Sequence, residues 1–163
     1  MKIYHLYSCQ ALTMSMEDAW DFLSNPANLG VITPEHMGFR IISGGDRPMY
    51  PGQIIQYKVS PFKGINTNWV TEITHVKKGK YFVDEQRFGP YSFWHHKHFI
   101  RPQGDWVLME DLIDYKLPLG VLGQMMNSLV VKKQLSQIFN YRENKLKELF
   151  GTVPNSSSKF SIS

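Results

Sequence analysis

Apolar and polar positions alternate along much of this chain, in short runs separated by Gly, Pro and Asn. Gln53 to Val59 is the clearest run: Ile55, Tyr57 and Val59 are set against Gln56 and Lys58. That is the two-residue period of a half-buried strand. Residues 2–10, 39–42, 69–76, 81–88, 92–100 and 106–117 read the same way and predict further strands. The breaks between the later ones, Lys78-Gly79, Gly89-Pro90 and Gln103-Gly104, are short, which predicts an antiparallel meander. Two interruptions have a helical period. Ser15 is placed to cap a helix carrying Ala19, Trp20, Phe22 and Leu23 on one face, with Glu17 and Asp18 in its first turn. Pro26 can open a second short helix through Leu29, which Thr33-Pro34 stops. Residues 117–124 are an apolar loop punctuated by glycine. One long helix is expected from about Met125 to Phe150, closed by Gly151.

The predicted order is strand, two short helices, about six strands and one long helix (β-α-α-β6-α). A sheet with one apolar face must cover it, and only the C-terminal helix is long enough. The expected class is α+β, a helix grip: a curved antiparallel sheet wrapped around the long helix, with an internal cavity between them. Residues 1–151 form one domain in this reading. Residues 152–163 are a polar tail expected to fray.

Composition narrows the function classes. The 163 residues are 42% hydrophobic, 13% aromatic and 20% charged, unlike a disordered chain. A single cysteine, Cys9, excludes an internal disulfide framework; on a first strand it reads as a small buried hydrophobe. No apolar run nears the ~18 residues of a membrane span, and the N-terminal residues lack the apolar core of a signal peptide. A soluble cytoplasmic protein without stable membrane insertion is expected. The net charge of +4 raises the question of nucleic acid. Residues 1–75 hold 5 basic against 6 acidic side chains, and residues 76–163 hold 13 against 8. The excess is scattered, with no basic stripe interleaved with aromatics, so nucleic acid is not an expected partner. Gly44-Gly45 lacks the Gly-Lys-Ser/Thr of a phosphate loop and reads as a turn.

Strand geometry nominates the cavity wall. A two-residue turn at Gln103-Gly104 sets His96 opposite Asp111 and Trp94 opposite Ile113. Trp94, His96, His98, Asp111, Ile113 and Tyr115 then share a face. A two-residue turn at Lys78-Gly79 sets Ile73 opposite Asp84 and Thr71 opposite Gln86, so Trp69, Phe82, Gln86 and Phe88 share a face as well. A three-residue loop at Gly89-Pro90 brings the two faces together, with Trp94 opposite Gln86; a two-residue loop would invert one of them. On the long helix, Val131, Leu135, Ile138, Phe139, Leu146 and Leu149 form a stripe with Arg142 near its middle. A guanidinium there needs a carboxylate partner or an acidic ligand; Asp84, Glu110 and Asp111 are the carboxylates within reach. His96 with Asp111 is either a satisfied interior pair or a base with its orienting carboxylate. The run His95-His96-Lys97-His98 raises the question of metal. Only His96 and His98 share a face, and with Asp111 they make a two-His, one-carboxylate set. The aromatic neighbours argue against it, and neither a metal nor another cofactor is expected. The apolar stretch Leu117–Leu122, with Met125-Met126, packs the helix start, gates the cavity mouth or touches a membrane surface.

Specific residues carry a family likeness. Gly89-Pro90-Tyr91, Trp94-His95-His96, Asp111, Tyr115 to Gly120 and Ile138 to Arg142 resemble the SRPBCC ligand-binding family. That family lies within the START-like, birch-pollen-allergen-like helix-grip superfamily, which has polyketide cyclase-like members. Phe22, Ile32-Thr33-Pro34, Met37-Gly38-Phe39, Trp69 and Phe82 to Gln86 fit the same pattern, and the likeness covers about residues 1–150. It implies a non-catalytic domain that holds a small, mostly hydrophobic ligand, such as a lipid, a polyketide-like compound or another aromatic or isoprenoid metabolite. Trp69, Phe82 and Trp94 would supply apolar wall. Gln86, His96, Asp111, Tyr115 and Arg142 would supply polar contacts. Two alternatives stay open: an aromatase/cyclase-type enzyme with His96 as base, and an interaction module whose interior is filled. The sequence leaves any homo-oligomer open.

Overall fold

A computed structural model of the chain describes residues 2–62, 65–126 and 130–163. Strand β1 (Tyr4–Leu12) is followed by helix α1 (Met16–Leu23) and two 3-10 turns (Pro26–Gly30 and Glu35–Met37). Then come β2 (Arg40–Ser43), β3 (Gln53–Phe62), β4 (Ile65–Lys77), β5 (Tyr81–Phe88), β6 (Phe93–Pro102) and β7 (Val107–Lys116). Helices α2 (Gly120–Met126) and α3 (Lys132–Phe150) follow, and β8 (Lys159–Ile162) ends the order. The strands make one antiparallel sheet in the order β2-β3-β4-β5-β6-β7-β1-β8. The α+β helix-grip class stands, with one strand more than expected. Ser15 does cap α1: its hydroxyl accepts from the Asp18 backbone N–H at 3.1 Å. Among the described residues no helix is long and apolar enough to cross a membrane.

One sheet face carries the core. Along β7 burial alternates without a break, with Val107, Met109, Asp111, Ile113 and Tyr115 all inward. The buried face of α3, Leu135, Phe139, Arg142 and Leu146, covers this surface. Two apolar clusters result. One joins Trp20 of α1 to Phe82, Met109 and Leu146; the other joins Tyr4 and Trp94 to Leu135 and Phe139. Leu149, expected on the buried stripe, is 43% exposed, because it lies at the C-terminal end of the helix.

Register departs from expectation in instructive ways. The β6–β7 connection is a four-residue loop in which Gln103 N–H donates to Trp106 C=O at 2.8 Å, with Gly104 at φ 73°. His96 therefore faces Ile113, and His98 faces Asp111. The slip is two residues, so every side chain keeps its face. The turn at Lys78-Gly79 is one residue longer than expected, since Lys77 pairs with Tyr81. A bulge between Ile73 and His75 then restores Ile73 opposite Asp84 and Thr71 opposite Gln86. A second irregularity pairs Val70 with Phe88 and turns Phe88 outward, where it is 72% exposed. Asp84 pairs with His96 and Glu85 with His95, the alignment that puts Trp94 on the side of Gln86.

The C-terminal segments need two corrections. Helix begins earlier than expected, since α2 (Gly120–Met126) takes up most of the stretch 117–124 read as a loop, and α3 runs over Lys132–Phe150; the part of the long-helix expectation at 127–129 lies outside the described residues. The tail expected to fray is paired: β8 adds to β1 with Leu6 opposite Ile162 and Ser8 opposite Phe160. It satisfies an edge that would otherwise present bare backbone groups, and Phe160 and Ile162 pack on the cluster around Tyr4 and Phe139.

Candidate functional site

A pocket of about 320 Å³ lies between the sheet and α3, reached also by α1 and the first 3-10 turn. Most of its lining is apolar. An aromatic wall runs through Tyr57, stacked on Trp69 at 5.9 Å, to Trp94, edge-on to Trp69 at 5.4 Å, and Tyr91, 4.7 Å from Trp94. Such rings supply large rigid area with little rotamer entropy to lose. Leu117, Pro118 and Leu119 also line it. Leu119, Val121, Leu122 and Met125 are exposed, whereas Leu117 packs on the cluster that holds Val131 and Leu135 at the start of α3.

Against this apolar lining stands one polar cluster, built by alternation on three strands and one helix. Asp84 comes from β5, His96 and His98 from β6, Asp111 from β7 and Arg142 from α3. Asp111 Oδ1 lies 2.9 Å from His96 Nε2, 2.9 Å from His98 Nδ1 and 3.5 Å from Arg142 Nη1. Asp84 Oδ2 lies 2.8 Å from His98 Nε2 and 3.5 Å from His96 Nδ1. The two imidazoles overlap with centroids 3.7 Å apart, and His98 stacks on Phe82 at 4.1 Å. The guanidinium of Arg142 lies over the Phe139 ring at 4.9 Å. Arg142 is thus the helix-to-sheet strut and also a pocket-lining residue.

Protonation follows from the partners. Burial opposes ionisation of Asp111, but the bonds from both imidazoles and the charge of Arg142 hold its carboxyl well below the ordinary value. Asp84 is also lowered, burial being outweighed by the two imidazoles. An ionised carboxylate only accepts, so each ring nitrogen bonded to one carries the proton. His98 bonds a carboxylate through both nitrogens and is an imidazolium; despite burial, its bonds to Asp111 and Asp84 raise its pKa. Burial, then the charge on His98, pushes His96 down to about 4. At neutral pH the cluster therefore holds two anions, two cations and one neutral imidazole, and is balanced. Burial, then the charge of Asp84, keeps Tyr57 protonated. Three buried polar atoms on pocket-lining side chains, Trp69 Nε1, Asp111 Oδ2 and Arg142 Nε, have no partner among the described residues.

Of the eight residues nominated from sequence, the structure gathers Trp69, Phe82, Trp94, His96, Asp111 and Arg142 around the pocket. Gln86 and Tyr115 are not part of its lining. The Gln86 carboxamide donates to Tyr91 C=O at 2.6 Å and accepts from Tyr91 N–H at 3.2 Å, bracing the β5–β6 turn. Gly89 permits this, since a Cβ there would strike the Gln86 side chain. Tyr115 is fully buried and stacked on Tyr4 at 5.4 Å, a core residue behind the wall. Alternation puts Asp84 and His98 on the same face, and the structure adds both to the pocket lining. The signal that singles them out is spacing: Asp84 and His96 are direct cross-strand partners, and His98 shares the face two residues on.

No protein-family profile matches the chain, and no curated protein does. Solved structures do. A START superfamily protein from Mycobacterium smegmatis aligns at TM-score 0.63 and 19% identity, covering 89% of this chain and 99% of that one. The Zhui aromatase/cyclase from a Streptomyces species aligns at 0.65 and 11%, covering 93% and 100%. A point mutant of Thalictrum flavum norcoclaurine synthase, in complex with a transition-state analogue, aligns at 0.64 and 14%, covering 91% and 96%. At these identities the likeness is one of fold: the chain has the SRPBCC, birch-pollen-allergen-like helix-grip fold.

Proposed function

We propose that this chain binds a small, mostly apolar ligand of lipid, polyketide-like or isoprenoid type in the pocket between sheet and α3, in the cytoplasm. The observation that carries the reading is the pocket itself: about 320 Å³, walled by aromatic and aliphatic side chains, with one charge-balanced cluster among its lining. Pockets of this size and polarity suit small molecules held by shape and oriented by a few polar contacts. Among the described residues, Arg142 and Asp111 each keep a buried polar atom without a partner, which suits a ligand with one polar end. Mass spectrometry of an organic extract of the purified chain tests this, together with a thermal-shift panel of lipids and aromatic acids. A co-purifying apolar molecule, or a saturable shift, is expected. No bound molecule and no shift across the panel would overturn the reading and favour an interaction module.

One arrangement favours a second, catalytic reading. His96 is neutral at pH 7 and is held through Nε2 by Asp111 at 2.9 Å, leaving Nδ1 as a base. One structural neighbour is an aromatase/cyclase. In that case His96→Ala abolishes turnover of a polyketide-like substrate while circular dichroism is unchanged; unaltered turnover excludes His96 as the base.

A further inference from the structure

An apolar ligand does not account for the way two imidazoles and a carboxylate converge. One donor atom from each of Asp84, His96 and His98 lies within 4.8 Å of the others. Asp84 Oδ2 is 2.8 Å from His98 Nε2 and 3.5 Å from His96 Nδ1. Adjacent donors around an ion at ~2.1 Å sit about 3 Å apart; the two edges at Asp84 bracket that value, and the edge between the two imidazoles is no longer than 4.8 Å. The other nitrogen of each ring is taken: His96 Nε2 and His98 Nδ1 both lie 2.9 Å from Asp111 Oδ1. A carboxylate behind each histidine is the usual device for aiming a metal-ligating nitrogen forward. Here one aspartate aims two rings, and Arg142 braces that aspartate from α3 at 3.5 Å.

We propose that Asp84, His96 and His98 are the protein ligands of one divalent transition-metal ion of the Zn²⁺, Co²⁺ or Fe²⁺ class, with its remaining positions open to the pocket. Two histidines and one carboxylate form such a three-ligand set. The ligand carboxylate is Asp84; Asp111, which the strand spacing alone suggests, is the positioning residue. Loading breaks the N–H bond at His98 Nε2, forms the metal–nitrogen bond there and releases one proton to solvent. The rings open from their 34° tilt so that both lone pairs meet the ion. The cluster then carries a net charge of +1, which an anionic oxygen on a bound ligand would balance. The metal site stands or falls without that ligand, so its test uses metal alone.

The test titrates the chelator-treated full chain with Co²⁺, then with Zn²⁺ in weak buffer. Expected are one Co²⁺ per chain retained on dialysis, visible d–d absorption bleached by Zn²⁺, and about one proton released per Zn²⁺. His98→Gln removes tight binding, Asp111→Asn weakens it about tenfold to a hundredfold, and His95→Ala leaves it unchanged. Should His98→Gln fail to fold, paramagnetic shifts of the His96 and His98 ring signals in the unmodified chain decide instead. Substoichiometric Co²⁺ without d–d bands, unshifted ring signals, binding unaltered in folded His98→Gln, or binding lost in His95→Ala would each overturn the proposal.

Discussion

The two faces of β6 carry the same chemistry with opposite consequences. Outward, His95 lies 3.1 Å from Glu85, and Lys97 lies 2.9 Å from Asp114. Inward, one residue along, His96 and His98 bridge Asp84 and Asp111 at similar distances. The outer side chains are a quarter to a third exposed, whereas Asp111 is fully buried. Water screens the outer pairs, which leaves them worth little. The inner charges have lost their water, so each depends on the others. Pairing alone does not make a site; the same pair deprived of solvent does.

The largest break in this comparison is Asp111→Ala. It strands two imidazoles and a guanidinium, and we expect a loss of about 3–5 kcal/mol in urea denaturation. Glu85→Gln, its outer counterpart, should cost at most about 1 kcal/mol. Equal losses would erase the distinction between the faces.

Next comes pH, read with chelator present. His96 titrates near 6.5 unfolded and about 4 folded. Between those values the unfolded chain binds the extra proton, so stability climbs with pH across that window, by roughly 3 kcal/mol. His98 is shifted the other way. Its contribution is complete below 6.5 and is lost as pH rises through its raised folded value. The lowered carboxyls of Asp84 and Asp111 contribute above the ordinary carboxylate range and fail only as pH falls through their folded values. The apo chain should therefore be most stable near pH 6.5, and His98→Gln should remove the decline above it. A flat profile from 5 to 8 would contradict the assignment of charge to His98.

The smallest effect is that of salt. At 1 M the screening length is ~3 Å, so the contribution of Lys97, measured as the cost of Lys97→Ala, should fall toward zero. The cost of Asp111→Ala should barely change. Paired denaturation curves at low and high salt check both.

How much of this was legible depends on parity. The loop at 103–106 shifted β6 against β7 by two residues, and His96, His98 and Asp111 kept their face. The turn at 78–80 and the bulge near Thr74 are each an error of one, and they cancel. Neither has a marker that the local sequence reveals. Asp84 joins the cluster through the β5–β6 pairing that sets it opposite His96, and that depends on the loop at Gly89-Pro90, where a change of one residue would turn the two faces apart. Gln86 illustrates another limit: alternation gave its side, but only the local turn decides that its amide braces Tyr91. The tail illustrates a third. Phe160 and Ile162 alternate over four residues, too short a run to outweigh the polar stretch before it. What recruits it is the open edge of β1, a property of the assembled sheet.

Trp94 has a consequence for observing this molecule. Its indole is 6.0 Å from the His96 ring and 5.4 Å from Trp69. Light absorbed by either indole is emitted within reach of whatever sits at the imidazoles. A paramagnetic ion or an aromatic guest would darken that emission, while Trp20, in the other apolar cluster, supplies a steadier background. The protein thus carries its own optical gauge of occupancy, and no attached dye is needed to watch the pocket fill.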